Sequence, residues 1–293
     1  QPLQLASYDV RPEHWLDLHA AVMQAVHNPD VVGIVVTHGT DRLEETAFFL
    51  YLTVRSDKPV IVVGSQRPAT GISPDGPINL LAAVRTAASP QAKGKGVMVV
   101  MDDRILSARE VRKIYQRTGG FSGGEMGMLG VVGGNGPDFL FAPTRRHGED
   151  SEFDMRKVDS LPRVELAFSY PGGTGPRFEG QPAGVAVATN GMTRAESELF
   201  TALRRAGVVV VTVFAYGDNM SAARDPDAPR TEPRAAAPGD STRSDSARAP
   251  QPPPAPPMVT AQHLTPAKAR ILLMVALTRT KDPVEIQRYF LRY

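Results

Sequence analysis

Apolar residues recur along the chain in two alternating rhythms. Short runs at Val31–Thr37, Val60–Gly64 and Gly96–Met101 are almost continuously apolar and β-branched, as expected of parallel strands covered on both faces. Between them lie segments with helical spacing. Trp15, Leu18, Val22 and Val26 form one face of a helix over Glu13–His27, and further helices are predicted over Arg42–Val54 and Ile78–Ala88. Strand, helix, strand, helix, strand at this spacing requires a parallel sheet with crossover helices. A second unit of the same kind follows, with strands at Arg163–Phe168, Gly184–Ala188 and Val208–Phe214 and a helix at Arg194–Ala206. Thr193 is placed to cap that helix, and Thr265-Pro266 and Asp282-Pro283 open two more near the carboxyl end. The expected fold is α/β with two domains. A larger, Rossmann-like parallel-sheet domain covers residues 1–146 and a smaller α/β domain covers 163–293, with a charged linker at 147–162.

Two segments break the rhythm. Gly119–Gly136 is about half glycine, and its glycines fit no phosphate-binding fingerprint because they do not sit between a strand and a helix. Turns and short, mobile strands are expected there. Just before it, Arg104, Arg109, Arg112, Lys113 and Arg117 make a basic cluster that, taken locally, suits a solvated face or an anion contact. Residues 221–257 contain no Val, Ile, Leu, Met, Phe, Tyr or Trp and hold ten of the chain's 26 prolines. Such an insert cannot bury enough apolar surface to offset its ordering entropy, so disorder is expected.

One stretch concentrates candidate chemistry. Gly33–Leu52 passes from a buried strand through the polar turn Thr37-His38-Gly39-Thr40-Asp41 into an amphipathic helix. Ligands of open α/β sheets sit at the carboxyl ends of strands, where loops meet helix N-termini. A hydroxyl, a carboxylate and a glycine in that turn therefore make a candidate site. The same residues also suit a purely structural role: Asp41 with Glu44 is close to a capping box, and Thr40 could itself be a cap.

Composition narrows the chemistry. The 293 residues carry 33 basic and 31 acidic side chains, a net charge of +2 that gives no electrostatic argument for nucleic acid or a membrane surface as partner. The absence of cysteine excludes disulfides, thiolate catalysis and cysteine-based metal sites. The six histidines (14, 19, 27, 38, 147 and 263) lack metal-ligand spacing and are read as surface or structural residues. No run approaches the roughly 20 apolar residues of a membrane-spanning helix. The first residue is Gln and no secretory h-region follows it, so the sequence leaves open a periplasmic or a cytoplasmic setting.

The block THGTDRLEETAFFLYLTVRSDKPVIVVGSQRPAT, continuing through SPDGPINLLAAV, closely resembles the bacterial L-asparaginase and glutaminase-asparaginase family. The likeness runs on through VMVVMDDRILSAREVRK, FAPTRRH, FDMRK and the carboxyl-terminal LTPAKARILLMVALTRTKDPVEIQRYF. It implies hydrolysis of the side-chain amide of L-asparagine, and in many members of L-glutamine, to the acid and ammonia. It further implies no cofactor and a homotetramer in which neighbouring subunits complete each site. A nucleophile, a base to take its proton and donors for the developing oxyanion are the parts such chemistry requires. Carried over by motif, Thr40, Asp41 and Lys113 resemble the family's Thr-Lys-Asp triad. Asp41 would also hold the substrate's α-ammonium, and Ser7 matches the serine that binds the α-carboxylate. A lysine serves as the base where burial or neighbouring charge lowers its pKa.

The resemblance also implies a further threonine, from a TGGTI-like turn that residues 1–293 do not contain. Residue 8 is Tyr where many members carry Gln or Glu, and Met192 follows the Asn190-Gly191 turn where a polar residue is usual. Two other readings stand beside the hydrolase: a homologue that binds amino acids or subunits without turnover, and the glutaminase-type subunit of a tRNA amidotransferase.

Overall fold

A computed structural model describes residues 3–215, 225–228 and 253–293. Its first half is a six-stranded sheet in the order β1-β2-β3-β4-β7-β8. The parallel half comprises β1 (Ile34–Thr37), β2 (Val60–Val63) and β3 (Val97–Met101). Its antiparallel continuation comprises β4 (Arg104–Ser107), β7 (Met128–Gly133) and β8 (Gly136–Phe139). Between them, β5 (Arg112–Lys113) and β6 (Phe121–Ser122) pair as a separate ribbon. Three helices accompany this sheet: α1 (Pro12–His27), α2 (Leu43–Thr53) and α3 (Gly76–Ala88).

Alternation along the strands assigns the two faces. Val60, Val62, Val97, Val99 and Met101 join the core that contains α2, whereas Ile61, Val63, Met98 and Val100 join the one beneath α3. This is why the strand sequences are apolar throughout: each face has its own helix. The second half repeats the scheme with a parallel sheet, β12-β11-β10-β9, built from β9 (Val164–Phe168), β10 (Gly184–Thr189), β11 (Val209–Phe214) and β12 (Val259–Thr260). Helix α4 (Arg194–Arg205) covers one face and α5 (Pro266–Ala276) the other, with α6 (Pro283–Arg292) packed beside α5. Helices α2 and α5 pack on each other, so one apolar core, including Phe48, Phe49, Leu272 and Phe290, spans both halves.

The expected caps form. Thr193 accepts from the Glu196 N–H in a complete capping box, Thr265 accepts from Lys268 N–H, and Asp282 accepts from Val284 N–H. The short strands expected within residues 119–136 form: they are β6, the whole of β7 and the first residue of β8, with Phe121 and Leu129 buried. Two expectations change. Residues 147–162 are packed: Ser151, Phe153 and Met155 are buried, and Phe153 lies against the rings of Tyr289 and Tyr293. Strand β1 begins at Ile34, later than the apolar run suggests, and Val32 is 70% exposed. Most of the 221–257 insert lies outside the described residues. Within it, Asp227 forms a two-oxygen ion pair with Arg288 of α6. Among the described residues no helix is long and apolar enough to cross a membrane.

Candidate active site

The turn after β1 is free of the capping role. The N-cap of α2 is Arg42, and no side chain caps it. Glu44, which a capping box would hold at the helix end, instead accepts a hydrogen bond from the backbone N–H of Lys113. Thr40 and Asp41 are thereby left to face the carboxyl end of the sheet. The turn is tightly seated. A Cβ on Gly39 would lie 2.6 Å from Ser7 Oγ, and one on Gly64 would lie 2.7 Å from the His38 carbonyl and 3.2 Å from Thr40 Cγ2. Glycine at these two positions lets the chain segments approach closely enough to share one site.

All four residues expected from the sequence converge there. Lys113 Nζ donates to Thr40 Oγ1 at 2.8 Å and to Asp41 Oδ1 at 2.9 Å. The lysine side chain is 14% exposed and that of Asp41 is 45% exposed. The amine is therefore sheltered while the carboxylate keeps a wet face. Ser7, in a short 3₁₀ turn over Ser7–Asp9, is buried, and its Oγ accepts from the Asp41 N–H at 3.2 Å. That bond uses a lone pair and leaves the hydroxyl hydrogen available to donate. His38 donates through Nδ1 to the Gly39 carbonyl at 2.6 Å, and burial holds its pKa below the ordinary histidine value, so it is neutral at pH 7.

The remaining basic residues have other employment. Arg109 is 3% exposed and bonds Glu110 and the Tyr293 carbonyl, which corrects the solvated-face reading at that position. Arg104 pairs with Asp102, and Arg117 lies over the Tyr115 ring. Lys113 is the member of the cluster that reaches the turn.

Sequence reading did not anticipate the scaffold behind the site. The Asp75 carboxylate accepts from the backbone N–H groups of Gln66 and Arg67, and buried Asn79 donates to the Gly64 carbonyl at 3.1 Å. Asn79 Oδ1 in turn accepts from Asp102 N–H. One buried asparagine thus ties the ends of β2 and β3 together. The available signal was SPDGPIN, whose three polar residues, Ser73, Asp75 and Asn79, equally suit caps and turns at a helix entry. Tyr8 is 67% exposed, and Met192 packs against the core beneath α4.

A cavity of about 610 Å³ lies between α1 and the outer edge of β1, with Trp15, Val22, Ile34 and Val36 in its lining. It touches the site at Ser7 and Gly39 and does not include Thr40, Asp41 or Lys113. Among the described residues no group of three or more His, Asp or Glu is placed to hold a metal ion.

Comparison with known proteins places the chain in a family. Residues 1–145 match the family model "Asparaginase, N-terminal". The whole chain is 39% identical to L-asparaginase 2 of Bacillus subtilis, covering 73% of that protein. It is also 39% identical to a glutaminase-asparaginase of Pseudomonas fluorescens, covering 76% of it. The crystal structure of a probable cytoplasmic L-asparaginase from Campylobacter jejuni aligns over 100% of this chain and 88% of that one, with a TM-score of 0.83 and 33% identity. With full-length relatives at this identity and the same two-part α/β fold, the chain belongs to the asparaginase family.

Proposed function

We propose that this protein hydrolyses the side-chain amide of L-asparagine to the acid and ammonia, with L-glutamine as a second candidate substrate. The observation that carries the reading is Lys113 Nζ within hydrogen-bond distance of both Thr40 Oγ1 and Asp41 Oδ1. A threonine hydroxyl is a poor nucleophile near pH 7 unless a base sits beside it, and this arrangement supplies one. In the proposed step, Lys113 Nζ takes up the Thr40 proton as Oγ1 bonds to the amide carbon. The C–N bond then breaks, the proton goes to the leaving nitrogen, and ammonia departs from an acyl-threonine ester. Water adds to that ester and releases the acid. Asp41 would hold the α-ammonium through its exposed oxygen, and the Ser7 hydroxyl would donate to the α-carboxylate. The names of the relatives, L-asparaginase 2 and glutaminase-asparaginase, support this substrate class.

The experiment is ammonia release from each amide by residues 1–293, run beside the same chain extended at its amino terminus by a TGGTI-like segment. Release from L-asparagine is expected from the extended chain, and a rate near zero from residues 1–293, which hold no TGGTI-like turn. No release from either amide by the extended chain would overturn the reading. Equal rates would remove the need for the second threonine.

The assembly is proposed as a homotetramer. Ile78, Leu81 and Val84 of α3 are each roughly half exposed, and Leu140, Phe141, Phe168 and Tyr170 are more so. Exposed large apolar side chains in this number mark surfaces that associate. Light scattering should return the mass of four chains; a monomeric mass would refute the assembly without touching the amidase reading.

A further inference from the structure

Lys268 is the most deeply buried ionisable group of the second sheet's helices, with no exposure, and the amidase chemistry above makes no use of it. It lies in the first turn of α5, where the helix dipole disfavours a cation. Burial of an ammonium is costly in itself. Neither helix propensity nor core packing explains a lysine here. Its partners do: Nζ donates to the carbonyls of Ala108, Arg109 and Val111 at 3.1, 2.8 and 2.5 Å. Three acceptors need three N–H donors, and among side chains the compact ammonium supplies that tripod.

Those carbonyls belong to the turn that leads into β5 and Lys113. Two residues beyond Val111, the Lys113 N–H is held by Glu44 of α2, and its Nζ reaches Thr40 and Asp41. The segment bearing the amine is therefore fixed at one end by α5 and at the other by α2. We propose that Lys268 is a positioning residue, through which the carboxyl-terminal half of the chain sets Lys113 against Thr40. This rests on the reading of Thr40 and Lys113 as the reacting pair. The charged groups facing the Lys268 ammonium are Glu44 of α2 and Glu110, Arg109 and Arg112 of the turn itself. Desolvation outweighs the two carboxylates and pushes its pKa down to about 8. Above that pH the amine keeps two N–H donors for three carbonyls, so the tripod loosens on the alkaline side.

The test is Lys268→Met, which keeps the stem and removes the donors. In the crystal structure of the variant, Lys113 Nζ should lie beyond hydrogen-bond distance of Thr40 Oγ1. In the chain extended by a TGGTI-like segment, kcat should fall by about 10²-fold, the cost of roughly 1 Å of misplacement, with KM within about threefold. A Lys113 that keeps its 2.8 Å contact, or a kcat within twofold of wild type, would overturn the proposal. Should the variant not fold, wild-type protein labelled with ¹⁵N at lysine Nζ carries the same question. The Lys113 resonance should show an inflection at the titration midpoint of Lys268, and a Lys113 signal blind to that midpoint would count against it. Because the crystal and resonance readouts need no turnover, failure of the amidase reading and failure of this one are distinguishable.

Discussion

Thr40→Ala is expected to reduce ammonia release by the chain extended with a TGGTI-like segment about 10⁴–10⁶-fold, the scale on which removal of a hydroxyl nucleophile acts. The side chain leaves little else to lose. Thr40 sits in a turn that makes no cap, with its methyl against Gly64, and its hydroxyl is bonded to Lys113. Stability should therefore change by no more than about 1 kcal/mol, within the range of substitutions outside the packed core. Thr40→Ser keeps the oxygen and should retain most of the activity. The measurement is kcat/KM for L-asparagine beside a thermal unfolding curve. Normal turnover by Thr40→Ala would remove the residue from the chemistry.

Lys113→Met should cost about 10²–10⁴-fold in kcat, the usual contribution of a positioned general base. The backbone bond from Lys113 N–H to Glu44 survives the change, and the apolar stem is retained, so the fold should persist. The ion pair to Asp41 involves a carboxylate that is 45% exposed, which limits its worth to about 1 kcal/mol or less. The double variant is the sharper measurement. If Thr40 and Lys113 act as one unit, combining the substitutions should be hardly worse than Thr40→Ala alone. Multiplying losses would mean that the two act in separate steps, and the lysine would then need another proton to move.

Much of the architecture was legible because the information is local. Unbroken β-branched runs require cover on both faces, and the structure meets that requirement with α2 and α3 on one sheet and α4 and α5 on the other. Caps at Thr193, Thr265 and Asp282 were readable for the same reason, since a cap needs only its own first turn. The capping box at Asp41 and Glu44 fitted the same local rule and does not form. A partner 69 residues away, the N–H of Lys113, takes Glu44 instead. The short strands expected within residues 119–136 form, but their glycines do not name their partners, which are β5 for β6 and both β4 and β8 for β7.

The sequence by itself determined the rhythm of strands and helices, the turn that carries Thr40 and Asp41, and, through family resemblance, the identity of Ser7 and Lys113 as their partners. Tertiary structure alone decided that Lys113, 73 residues from Thr40, brings its amine to 2.8 Å from the hydroxyl. It also decided that Asn79 would bind two strand ends and that Lys268 would hold the turn before Lys113. The division follows from physics. Apolar periodicity and caps are satisfied within a few residues, whereas a buried ammonium or amide is satisfied only by backbone groups that folding brings to it from elsewhere in the chain.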